Sequence, residues 1–148
     1  MAITYAQICD SIETYLAIAC PSVSRTQSYD ELTEGMNDTP TLQVYPEACE
    51  NVATESGTQF STFQGGVIQS TIIVHVDYYA RQRNHIGEDM AALVAGLDEL
   101  HTAFEEAGCP PFGLEGIRSF QWAWNRVIFA YASVEYLGAR FVLRLRTF

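Results

Sequence analysis

The chain contains no lysine: its eight cations are all arginine, set against eighteen aspartates and glutamates. The resulting net charge of −10 leaves no basic face of the kind a dedicated nucleic-acid binder needs, although it suits a surface past which DNA moves without sticking. Cysteine is sparse. Cys9, Cys20, Cys49 and Cys109 form no CxxC pair and no metal-ligand spacing, so free, mostly buried thiols are expected rather than disulfides or a zinc site. Apolar runs stop far short of the ~20 residues of a membrane span, and no basic segment leads into an apolar one as in a secretory signal. A soluble protein made in the cytosol is expected. No glycine-rich loop joins a strand to a helix, since Gly65-Gly66 precedes a strand, and no serine or cysteine sits in a nucleophile elbow. An enzyme, a cofactor and a catalytic residue are therefore not expected.

What is present is a core. With 148 residues, 48% of them hydrophobic, and eight each of Tyr and Phe, the chain suits one domain spanning 1–148. A chain of this size buries about 68–70% of its unfolded surface and needs no staples. Its charge is uneven: residues 1–60 carry nine acids against Arg25 alone, a net of −8, whereas residues 61–148 carry nine acids against seven arginines, a net of −2.

The clearest pattern is VIQSTIIVHVDYYA at 67–80. Ile68, Ile72, Val74, Val76 and Tyr78 share one parity and Gln69, Thr71, His75 and Asp77 the other, the alternation of a strand with one buried face. At about 3.3 Å per residue it would run roughly 45 Å, so it bends or outreaches its own core. Before it, a capping box of Thr4 and Gln7 opens a helix over 5–20 with Tyr5, Ile8, Ile12, Tyr15, Leu16 and Ala19 at helical spacing, and TLQVY at 41–45 makes a short strand closed by Pro46. After it, Met90, Leu93, Val94, Leu97, Leu100 and Phe104 form a stripe that predicts a second helix over 87–107 with Gly108 as its cap. Strands follow over 117–129 and 139–147, with 131–137 continuing a strand or closing a hairpin. The expected fold is α+β, an antiparallel or mixed sheet of about four strands covered by two amphipathic helices, in the order α-β-β-α-β-β.

Two long loops remain, at 22–40 and 47–66. The second reads either as a surface insertion or as a hairpin arm that orders against a neighbouring subunit, and its paired Phe60 and Phe63 point to the arm because exposed aromatics mark interfaces. His75 with Asp77, and His101 with Glu105, have the chemistry of metal ligands, but nothing in the sequence unites the pairs, and surface polar residues are the simpler reading. Trp122 and Trp124, flanked by Arg118 and Arg126, have the makings of a stacking platform; core residues under a helix are again simpler. Arg140, Arg144 and Arg146 alternate with Phe141, Leu143 and Leu145. They form the most basic patch of the chain, and across a repeated contact they would complement the acidic N-terminal half.

The amphipathic N-terminal helix, the TLQVYP strand, the long loop and long strand, the second helix and the closing YLGARFVLRLRTF run together resemble the tail terminator proteins of long-tailed bacteriophages. The resemblance spans nearly the whole chain and rests on element order, because the family has no catalytic motif. It implies a small α+β virion protein, located at the head-proximal end of the tail, that forms a homohexameric ring. Such a ring caps the tail tube, stops its polymerisation and joins it to the head connector or head-completion protein while DNA passes through the channel. Candidate subunit-interface residues are then Phe60, Phe63, Arg140, Arg144 and Arg146. Candidate lumen-lining acids are Asp30, Glu31, Glu34, Asp38, Glu47, Glu50 and Glu55, since acids do not retain phosphates. Other neck or tail subunits, such as a head-completion or tail-tube protein, share the same logic, with a small binding module or a metalloenzyme as the alternatives outside the virion.

Overall fold

Helix α1 (Tyr5–Ala19) begins where the reciprocal capping box forms, the Gln7 amide donating to Thr4 Oγ1 at 3.1 Å and the Thr4 amide to Gln7 Oε1 at 2.9 Å. Its Ile8, Ile12 and Leu16 are fully buried on one stripe. The structure, a computed structural model, describes residues 3–32, 39–50, 70–83, 86–131 and 133–147. After α1 come β1 (Arg25–Gln27), β2 (Thr41–Glu50), β3 (Thr71–Gln82), α2 (Ile86–Glu105), a 3-10 turn at Pro111–Gly113, β4 (Ile117–Tyr131) and β5 (Val134–Thr147).

The strands form one mixed sheet in the order β1-β2-β3-β5-β4, in which β1 is parallel to β2 and every other pair is antiparallel. The fold is thus α+β with two helices, as expected, but the sheet has five strands rather than about four. The extra one, β1, lies within the loop predicted at 22–40. Three residues are too few to display an alternation, and β1 exists because Arg25 to Gln27 align with Thr41 to Gln43. The strand expected to stop at Pro46 also runs on to Glu50. A bulge between Pro46 and Ala48 absorbs the proline, and from Val44 onward β2 pairs with β3 alone among the described residues, so the missing N–H costs no ladder bond on the open side. β4 and β5 form a hairpin in which Tyr131, the last residue of β4, pairs with Val134, the first of β5.

Both helices pack on the same face of the sheet, α1 over β1 and β2, α2 over β3 and β5. The core between them joins Ile8, Ile12 and Leu16 of α1 and Leu93, Leu100 and Phe104 of α2 to Val74, Val76, Phe141, Leu143 and Leu145. Side chains of this kind contribute about 1.5–3 kcal/mol each when fully buried. Two glycines let the layers close. A Cβ on Gly96 would stand 2.0 Å from the Tyr78 hydroxyl oxygen, and one on Gly138 would stand 1.9 Å from the Tyr78 carbonyl oxygen. Ser22 and Glu99 tie the end of α1 to α2 through a hydroxyl–carboxylate bond, and Tyr15 donates its hydroxyl to the Ala103 carbonyl.

Candidate assembly surface

The opposite face of the sheet has no described helix on it. Alternation along β3 and β5 sends Asp77, Tyr79 and Arg140 to this side, and they build two linked clusters. Asp77, 1% exposed, accepts two bonds from Arg140, Nε to Oδ1 at 2.8 Å and Nη2 to Oδ2 at 3.2 Å, and a third from the Tyr45 hydroxyl at 2.7 Å. Such a fork holds a buried carboxylate that would otherwise be costly. The bonds with Asp77 raise the Arg140 pKa, and burial followed by the Asp77 bond raises that of Tyr45. Beside them Tyr79 stacks on Phe129 with centroids 4.2 Å apart and donates its hydroxyl to Tyr131 at 2.7 Å, while Arg140 lies 5.7 Å over the Phe129 ring.

Arg140, expected at a subunit contact, therefore spends its charge inside the subunit, although its side chain stays 37% exposed. Arg144 and Arg146 are exposed on the same face, one strand in from β4, opposite Gln121 and Ser119. Of the acids expected at a lumen, Asp30 and Glu31 are exposed just after β1, and Glu47 and Glu50 are exposed on the far half of β2. Glu50 and Arg146 flank Thr71 in one row of this face. Phe60, Phe63, Glu34, Asp38 and Glu55 lie outside the described residues.

The two histidine pairs are kept apart. His75 sits on the uncovered face with Nδ1 3.7 Å from Glu47, and burial pushes its pKa down, aided by Arg140 and opposed by Glu47. His101 pairs with Glu105 at 3.6 Å on α2, against the edge of Trp122 on the helix side. Among the described residues no group of three His, Cys, Asp or Glu is placed to hold a metal ion. Cys9 and Cys20 are buried, Cys49 and Cys109 exposed, and all four are free thiols.

Compared with protein-family models and with curated proteins, the chain finds no match. Its surfaces must be read from their own chemistry. Trp122 is half-buried and packed against the core, with Phe104 at 5.6 Å and Phe141 at 6.2 Å, and it lines a cleft with Arg118 and Phe120. Trp124 departs from the core reading, at 41% exposure, because α2 lies over β3 and β5 and leaves β4 projecting beyond it. No helix among the described residues is long and apolar enough to cross a membrane.

The Asp77, Tyr45 and Arg140 cluster was not assembled by sequence reasoning. A signal existed: one acid inside the apolar run of β3 needs a cation or donors once that strand is buried.

Proposed function

We propose that this chain is a structural subunit of a phage tail, a tail terminator that assembles as a homo-oligomeric ring, caps the tail tube and joins it to the head connector or head-completion protein. The observation that carries the reading is the one-sided architecture. Both helices cover a single face, while no described element lies over the other face or beyond the 15-residue edge strand β4, and both carry exposed arginines in a chain of net charge −10. Open, sequence-distant surfaces of opposite charge suit a subunit whose neighbours complete it. In that ring Arg144 and Arg146 are contact residues, and Glu47 and Glu50, on a half of β2 that carries no basic residue, are suited to a channel wall that DNA passes without being held. The finished protein is then a virion component at the head-proximal end of the tail.

Light scattering coupled to size exclusion, with negative-stain imaging of any large fraction, tests this. Annular particles of about six subunits are expected from closed heterologous contacts. Added to polymerising tail-tube protein, the chain should shorten the tubes and sit at one end. Tubes of unchanged length with no end-bound ring would remove the terminator role.

A further inference from the structure

Of the large hydrophobic side chains exposed among the described residues, Tyr5 and Ile18 lie on α1 and the others stand at the two sheet edges. At the β4 edge stand Trp124 and Ile128, 41% and 45% exposed, with Val94 of α2 at 50%. They form one patch: Arg126, between the two β4 residues on the same face, reaches the Met90 sulfur at 3.9 Å, and Val94 is one turn further along α2. The patch carries Arg126, with Arg118 further along the edge, and β4 contains no acid and no proline. Among the described residues β4 pairs with β5 alone. A strand this long, apolar and free of proline is a template for another chain unless something occupies it.

At the opposite edge, past β1, Tyr29 and Leu32 are exposed among acids. This segment lies against α1, where Ser28 donates to Asp10 at 2.9 Å. Burial, and then the carboxylates of Glu31, Asp10 and Asp30, push the Glu13 carboxyl upward, so the edge is crowded with negative charge. Each edge thus supplies what the other lacks, apolar surface with cations on one and apolar surface with anions on the other.

We infer that the β4 edge, with its Trp124, Ile128 and Val94 patch, docks the acidic β1-side edge of a second copy of this chain, Arg118 and Arg126 facing Asp30 and Glu31. The contact is heterologous, so each copy keeps one edge free for the next and the array closes into a ring or continues as a filament. The inference deepens the assembly reading above by naming its contact, and rests on that reading only for closure into a ring. It assigns Asp30 and Glu31 to a subunit contact rather than to a lumen.

The test uses two doubly substituted full-length chains, Arg118→Glu with Arg126→Glu, and Asp30→Arg with Glu31→Arg, with circular dichroism melting to verify that each folds. Sedimentation should show each variant associating about tenfold or more weakly than the unsubstituted chain. An equimolar mixture should recover assembly, because each variant retains one native edge and the altered edges complement one another. If only the arginine variant loses association, β4 pairs with β4 and the inference fails. If neither loses it, or the mixture of folded variants does not recover, the contact lies elsewhere while the terminator reading stands. An unsubstituted chain with no association up to about 1 mM overturns the self-docking inference. The tube-capping assay then decides the terminator role separately.

Discussion

The two faces of the sheet are made by the same strands and do different work. On β5, Phe141, Leu143 and Leu145 are fully buried under the helices, whereas Arg140, Val142, Arg144 and Arg146 alternate with them on the other side. The covered face is held by area: its contacts are apolar and non-directional. The uncovered face is held by direction, through the fork between Arg140 and Asp77, the Tyr45 hydroxyl and the stack of Tyr79 on Phe129. A face of the first kind cannot also be a specific docking surface, because its side chains are spent on the fold. Specificity is left to the second face and to the β4 edge, which α2 covers only in part.

If that division holds, the largest loss of stability comes from the covered face. Phe141→Ala is expected to cost about 3–5 kcal/mol and Leu143→Ala about 2–5 kcal/mol. Val142→Ala, on the same strand but pointing the other way and only partly buried, should cost far less. Urea unfolding of the three variants reads this directly, and equal losses would break the comparison.

Next in size is the polar fork. Asp77→Asn keeps the shape and removes the charge, leaving Arg140 facing an amide; a loss of about 1–3 kcal/mol is expected. Arg140→Gln combined with Asp77→Asn should cost less than the two single losses added, because the partners fail together. Additive losses would mean that the fork contributes nothing beyond its separate residues.

The helices and the long strands could be read from the chain, because Ile8, Ile12 and Leu16 and the Phe141, Leu143, Leu145 row each repeat over several periods. The solvated face expected of the 67–80 strand is not found, since Ile73, Asp77 and Tyr79 are buried with most of β3. Local rules failed where pairing made the structure. β1 is a strand only because β2 lies beside it, and β2 passes Pro46 on a side where no strand pairs with it among the described residues. Trp124 shares parity with half-buried Trp122, so alternation alone could not reveal that α2 leaves it 41% exposed. Likewise Asp77 and Arg140, 63 residues apart, meet only through the register of β3 with β5.

Changes of pH separate the faces more gently. On the helix side burial pushes the Cys9 thiol up from 9.0 to about 11, and the Cys20 thiol and the Tyr78 hydroxyl up to about 12. These groups bind protons more tightly when folded, so the stability they provide is whole below about pH 9 and lost as pH rises through 11 to 12. His75, on the uncovered face, has the opposite sign. Its folded pKa lies below 6.5, so its contribution is present above that value and falls away as the solution is acidified. Cys9→Ala with Cys20→Ala should flatten the alkaline limb of a melting-temperature profile and leave the acid limb alone, while His75→Gln should do the reverse. A shared response would tie the two faces into one unit.

The smallest effect on folding is expected at Arg144 and Arg146. Both are exposed, and charge reversal at such positions changes stability by no more than about 0.5 kcal/mol. Arg144→Glu with Arg146→Glu should therefore melt like the unsubstituted chain yet assemble less well, since two cations on the uncovered face become anions in a subunit already at −10. Lying one strand in from β4, they should weaken association less than reversal of Arg118 and Arg126 does. Assembly as strong as that of the unsubstituted chain would remove the uncovered face from the contact and leave the edges as its only carriers. A weakening larger than the edge variants show would reverse that ranking and make the uncovered face the principal interface.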